Sequence, residues 1–175
     1  MRRMTLRAKR TILRPVRAVD APLIAKWKRD PFVQRMALGP GSRITSANQR
    51  QDIERALKSP EQLYWVILSR ETKEPLGYIR VNWMESDHRN AWLRFALGPH
   101  RGRGYAKDAV GELVRYLLRT GTHRVEAEVY DFNRPSLGLL KGLGFQIEGL
   151  KRQAHFDGNR YRGIHVLGLL KPDVF

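Results

Sequence analysis

Two rhythms of apolar and polar positions alternate along the chain. Residues 62–69 (QLYWVILS), 75–84 (PLGYIRVNWM) and 91–97 (AWLRFAL) are short runs rich in β-branched and aromatic residues. Their links, RETKE and ESDHRN, are short and polar, as in an antiparallel meander. From Tyr105 to Leu118 the apolar positions are 105, 109, 110, 113, 114 and 117, the stripe of a helix. Upstream, Lys9–Arg17 reads as a strand. Asp20 followed by Pro22 reads as a helix start, with the helix running to about Arg29. Pro31 to Ser46 reads as a loop with GPGS at its centre. Thr45 or Ser46 caps a second helix through ANQRQDIERALK, which Ser59-Pro60 ends. Downstream, HRVEAEVY alternates like a strand and Pro135–Lys141 is a short helix. FQIEGLKRQAHF and RYRGIHVLGLL flank DGN, a hairpin signal. The order predicts one mixed α/β domain over residues 1–175, with no repeat and no linker.

Composition narrows the class. With 42% apolar residues in 175, the chain can bury a core. It has no apolar run near the roughly 20 residues that span a bilayer, so no membrane is expected. There is no cysteine, which excludes disulfides, thiolate nucleophiles and Cys-bound metals, and fits a cytoplasmic setting. The basic start MRRMTLRAKRTILRP lacks the apolar segment of a secretory signal. A transit peptide is the sharper reading of it, but TILRPV reads as a first strand. The net charge of +16 is uneven: residues 1–60 hold 15 Lys/Arg against 4 Asp/Glu. Such a basic third would attract a polyanion such as RNA or a ribosome.

The candidate chemistry centres on LGPHRGRGYAKDAV, residues 97–110, a turn between a strand and a helix. The first N–H groups of a helix lack internal acceptors and sit at the positive end of its dipole. Gly102 and Gly104 let a ligand approach the backbone, and Arg101 and Arg103 add forked cationic donors. Amides from Gly102 to Ala106 could wrap a pyrophosphate. The turn lacks the Lys-Ser/Thr of a nucleoside-triphosphate loop, and Lys107 fills the third position of a dinucleotide G-x-G-x-x-G. Read alone, it is equally a solvated turn.

Two later stretches change this. NRPS follows at Asn133–Ser136, then LGF at Leu143–Phe145. Strand, Arg-Gly-x-Gly-Tyr-Ala turn, helix, strand, N-x-x-S, short helix and Gly-Phe in this order resemble the GNAT N-acetyltransferases. LRPVRAVDAPLIAKWKRDPFVQRM and FQIEGLKRQAHFDGNRY are similar to the ribosomal-protein Nα-acetyltransferase branch, the RimJ/RimL type. The resemblance runs from about Ile12 to Leu170. It implies a GNAT fold, with a mostly antiparallel twisted sheet of about seven strands and flanking helices. It implies acetyl-CoA, with its pyrophosphate on Arg101, Gly102, Arg103, Gly104, Tyr105 and Ala106, and its pantetheine arm beside the strand ending at Leu97. A homodimer is implied by the resemblance alone.

In the resembling family Asn133 commonly bonds the coenzyme arm; otherwise it caps the next helix through an Asx turn. Ser136 matches the residue near the coenzyme sulfur, where it would protonate the leaving thiolate; otherwise it is a capping residue. Many relatives carry a tyrosine acid four positions before the Gly of Gly-Phe. Here that position is Leu140, so the role shifts to Ser136 or water. His155 is the candidate base for the amine proton, since imidazole titrates near the working pH; otherwise it is a surface or packing histidine. Glu126, Glu128 and Glu85 could each hold a relaying water. His88, His100, His123 and His165 lack metal-ligand spacing, so no metal is expected. Trp65, Trp83 and Trp92 read as core.

Three functions remain open. The first is acetyl transfer to an amine, with a protein N-terminal α-amine as acceptor. The second is acetyl transfer to a polyamine or antibiotic, whose polycationic charge calls for an acidic pocket in a chain with only 17 acidic residues. The third is a basic RNA-binding module that keeps the fold without the chemistry.

Overall fold

The computed structural model describes residues 4–38 and 43–174. The GPGS stretch at 39–42 lies outside them, as do residues 1–3 and 175. Among the described residues the chain forms an eight-stranded sheet flanked by helices on both faces. The strands are β1 (Leu6–Arg7), β2 (Thr11–Pro15), β3 (Gln62–Ser69), β4 (Pro75–Trp83), β5 (Asn90–Leu97), β6 (Arg124–Tyr130), β7 (Gln146–Phe156) and β8 (Tyr161–Leu170). Their spatial order is β1-β2-β3-β4-β5-β6-β8-β7. Every pairing is antiparallel except β5 with β6. The eighth strand beyond the expected seven is β1, joined to β2 by a turn in which Ala8 N–H donates to the Thr11 carbonyl.

Alternation along the strands divides the core. One set of strand side chains, with Trp65, Ile79, Val81 and Leu93, packs against α4 (Tyr105–Arg119) and α5 (Arg134–Lys141). The other set, with Tyr64, Val66, Tyr78 and Ala96, packs under α1 (Ala21–Arg29) and α3 (Ser46–Lys58). Between those two helices a single turn, α2 (Pro31–Val33), runs into a π-helix at Gln34–Leu38. This corrects the expected loop over the first half of Pro31–Ser46. The local reason is an unread cap: Asp30 Oδ1 accepts from Phe32 N (2.9 Å) and Val33 N (3.3 Å), and Pro31 occupies the first helical position. At Asp20 the position is right but the bond is not. Its carboxylate turns back to Arg14 and to the Arg17 N–H, and makes no side-chain cap to α1.

The β7–β8 hairpin closes at DGN as expected. Asp157 Oδ1 accepts from Asn159 and Arg160 N–H, and Gly158 takes φ +95°. No helix among the described residues is long and apolar enough to cross a membrane. None of their His, Asp and Glu side chains form a group that could hold a metal ion.

Candidate active site

The site originates where the sheet comes apart. β5 pairs with β6 only through Asn90–Trp92 and Arg124–Glu126. Beyond that, Leu93–Leu97 stays paired to β4 alone, and Ala127–Tyr130 to β8 alone. Two clefts open from the gap. One, of about 390 Å³, lies between Arg94 and Phe95 of β5 and Glu128 and Tyr130 of β6, over Tyr64, Tyr78, Arg80 and Lys28. The other, of about 340 Å³, runs along Phe32, Val33, Phe95, Leu97 and Leu139 to the turn at Arg101–Gly104. They meet at Met36, Ala37, Phe95, Asn133 and Ser136, which line both.

The second cleft ends on the positive pole of α4. Gly104 is the N-cap in left-handed backbone (φ +80°) and puts no side chain of its own over the orphan N–H groups of the first turn, while Arg10 Nη1 lies 3.2 Å from where a Cβ there would be. Gly102 is also left-handed (φ +77°), and beyond its two chain neighbours nothing among the described residues lies within 4 Å of where a side chain there would begin. Of the sequence-predicted coenzyme residues, Leu97, Arg101, Gly102, Gly104, Ala106, Asn133 and Ser136 line this cleft. Two side chains do not. Tyr105 lies on another side of the turn under the Arg10 guanidinium (4.6 Å), and Arg103 contributes its carbonyl to Arg10 Nη1 (2.6 Å). Arg101 is partly engaged by Asp30 Oδ2 (3.2 Å) and lies over the Phe32 ring (4.4 Å). Lys107, read in the sequence only as a departure from a glycine motif, supplies a further cation to the wall. A helix terminus, two left-handed glycines and two cations fit a pyrophosphate. The apolar stretch from Leu97 to Phe95, Val33 and Leu139 fits a thioester arm that ends at Ser136.

Asn133 is buried at the junction and already works within the protein. Its Oδ1 accepts from Ser136 N (3.2 Å), capping α5, and its Nδ2 donates to the Met36 carbonyl (3.0 Å). The helix-capping reading is therefore present, and it places the backbone of Ser136 at the third helical position with its side chain on both clefts. The Asn133 contact also ties the π-helix to the junction. Leu140 is fully buried and lines the wider cleft.

His155 sits one ring away from the site. It stacks on Tyr130 (centroids 4.2 Å apart, planes at 18°), and it is Tyr130 that faces the cleft. Of the three glutamates, Glu85 is exposed in the β4–β5 link, and Glu126 is paired with Arg124 (2.8 Å). Glu128 alone among carboxylates of the described residues lines the wider cleft, and Lys151 holds it at 2.6 Å.

Trp65 and Trp83 are core, but Trp92 is not: its ring lines the wider cleft. Sequence reading missed the cations beside it. Arg80 and Arg94 occupy the alternate positions of β4 and β5 that face this cleft, and Lys28 reaches over them from α1. Burial holds Lys28 down at about 8, with Arg80 and Arg94 acting in the same direction against Asp52. Burial also raises the Tyr78 phenol to about 12 and the Tyr64 phenol further.

Comparison with known proteins gives this arrangement its lineage. A family profile described as "Acetyltransferase (GNAT) domain" matches residues 10–146. The chain is 30% identical over 173 residues to the uncharacterized N-acetyltransferase p20 of Bacillus licheniformis, covering 97% of each. Its fold is similar to that of the ribosomal-protein-S5-alanine acetyltransferase of Vibrio fischeri (TM-score 0.84, 16% identity, covering 97% of this chain and 98% of that one). It is equally similar to the spermidine N-acetyltransferase of Vibrio cholerae solved with CoA and spermine (TM-score 0.85, 17% identity, covering 94% and 97%). Split strands, an open helix N-terminus below them and a profile match across most of the chain make it a member of the GNAT family, an N-acetyltransferase that uses acetyl-CoA.

Proposed function

We propose that the acceptor is the α-amine of a protein N-terminus, held in the wider cleft and acetylated by direct attack where the two clefts join. The observation that carries this is the sharing of Asn133, Ser136 and Phe95 by both clefts, which lets donor and acceptor meet without an enzyme-bound carrier. Acetyl-CoA supplies an acetyl group activated as a thioester. The unpaired edge of β5 beyond Trp92 offers backbone amides toward the thioester oxygen, in an oxyanion-stabilising role.

The amine must shed a proton before it attacks. Glu128 receives that proton through a water, because its carboxylate faces the cleft. The Ser136 hydroxyl donates a hydrogen bond to the sulfur as the carbon–sulfur bond breaks, and the thiolate takes up a proton shed by the attacking nitrogen. His155 supports Tyr130 from behind. His155→Ala is thus expected to keep turnover at pH 7 within about threefold of wild type, whereas Glu128→Gln lowers it by about 100-fold, the usual scale of general-base catalysis. Steady-state kinetics across pH 6–9 check this. A large loss confined to His155→Ala would return the base to the imidazole.

The basic first third favours work near RNA, so a ribosome-associated N-terminus is the preferred protein substrate. The resemblance of the fold to a spermidine acetyltransferase raises the polyamine alternative, which the cationic wall of the cleft disfavours. An acceptor screen with acetyl-CoA, comparing N-terminal peptides, spermidine and aminoglycosides, decides. Peptide acetylation with little polyamine turnover is expected. Turnover of polyamines alone would overturn the reading.

A further inference from the structure

Resting on that choice of acceptor, we infer that the wider cleft binds a carboxylate carried close to the acceptor amine, through Tyr64, Arg80, Arg94 and Lys28. The strand register sets up the binding row. Tyr64 of β3 lies opposite Arg80 of β4, and Arg80 lies opposite Arg94 of β5. Two guanidinium groups directly across a ladder repel each other and destabilise the pair. Lys28 adds a third cation from above.

One carboxylate balances them within the described residues. Asp52 binds Arg80 Nη1 at 3.0 and 2.8 Å and lies 4.0 Å from Lys28 Nζ. Three cations against one anion leave +2, and Glu128 is already matched by Lys151. Arg94 Nη2 donates to Asn82 Oδ1 (2.6 Å) and Lys28 Nζ to Gln49 Oε1 (2.7 Å), neutral acceptors that leave the charge uncompensated. Arg80 gives Nη1 to Asp52 and Nη2 to Gln62, which leaves its buried Nε without a partner. The Tyr64 hydroxyl and Trp92 Nε1 are likewise buried and unpartnered. A phenol whose pKa is raised by burial stays protonated at working pH and donates rather than accepts charge. Unpartnered buried donors are costly to a fold, and beside an excess of cations, of which Arg94 is exposed, they mark a place completed by an anion.

A carboxylate on the acceptor satisfies both deficits. It would come from an acidic side chain in the first residues of a peptide, or from a free amino acid. A polyamine offers neither an acceptor nor a compensating charge.

The test is a panel of matched peptides, Ala-Asp and Ala-Glu against Ala-Asn and Ala-Gln at the N-terminus, together with free glutamate and spermidine. For the wild type, kcat/KM is expected to be at least about tenfold higher for acidic than for amide peptides. In Arg94→Gln and in Lys28→Met that ratio is expected to fall toward one. Lys28→Met also reports on folding. Removing a cation whose pKa is held below that of the unfolded chain should raise the melting temperature at pH 7. The gain should narrow as pH climbs from about 8 to the ordinary lysine value of 10.5, because wild type then recovers stability by losing the proton. Acetylation of free glutamate with the same Arg94 dependence supports the carboxylate site and assigns it to a free amino acid. Equal rates for acidic and amide peptides overturn the inference while leaving the peptide acceptor intact. Spermidine turnover with no peptide turnover removes the acceptor reading itself.

Discussion

Gly104→Glu is expected to weaken acetyl-CoA binding by about 100-fold or more while the protein stays folded. Two effects add. A residue other than glycine at φ +80° carries a left-handed strain of about 1–2 kcal/mol. A carboxylate at the mouth of the first turn then adds negative charge beside the ligand's phosphates and competes for Arg10, whose Nη1 lies 3.2 Å from where the Cβ would be. At about 5 Å and an effective dielectric of about 20, one such pair repels by about 3 kcal/mol, which alone corresponds to about 100-fold in affinity. The same carboxylate sits favourably against the α4 dipole, which offsets part of the strain in the free protein. Gly102→Ala separates the two effects. It takes the strain at φ +77° into open space and adds no charge, so stability is expected to fall while affinity stays within about threefold of wild type. Calorimetric titration of both variants with acetyl-CoA is the check. Wild-type affinity in Gly104→Glu would remove the α4 terminus from the binding site.

Asn133→Ala should damage both substrates at once. It removes the cap on Ser136 N and the tie to the Met36 carbonyl from a position that is 6% exposed. The stability loss is about 2 kcal/mol, from the cap and from polar groups left unpaired. Because Met36 and Ala37 wall both clefts, releasing them misplaces donor and acceptor together. A shift near 1 Å at a reacting pair costs about 100-fold, and that fall in kcat/KM is expected for acetyl-CoA and acceptor alike. Asn133→Asp discriminates between cap and tie. It keeps an acceptor for Ser136 N but sets a carboxylate against the Met36 carbonyl, so it should keep the cap on α5 without recovering rate. Full activity in Asn133→Asp would make the π-helix contact incidental.

The local code was readable wherever one element explains itself. The strands at Gln62–Ser69, Pro75–Trp83 and Asn90–Leu97, the α4 stripe and the Asp157–Asn159 tip all follow from periodicity or turn chemistry. Asp30-Pro31 carried an equally plain cap signal, hidden because the glycines that follow drew the whole stretch into a loop. Leu6–Arg7 is too short for periodicity to register.

The site divides the same way. The Arg101–Ala106 turn is contiguous, so its backbone role could be read directly, although the side-chain directions of Arg103 and Tyr105 could not. The acceptor wall is assembled from α1, β3, β4 and β5. Tyr64, Arg80 and Arg94 become neighbours only once the strand register is known. Before that, each guanidinium reads as the solvated face of an alternating strand. Trp92 shows the converse error, since aromatic bulk suggested core while its strand position put it on a cleft. His155 had the right chemistry for a base, but its stack on Tyr130 is a contact between β7 and β6 that no local pattern reveals.

All of this depends on the first turn of α4 holding the coenzyme's phosphates. Amide chemical shifts followed during titration with CoA measure it most directly. The N–H resonances of Gly102, Gly104, Tyr105 and Ala106 are expected to move furthest and to saturate together, with the β7–β8 tip at Gly158 unmoved. Saturable binding that leaves those four resonances in place would contradict it.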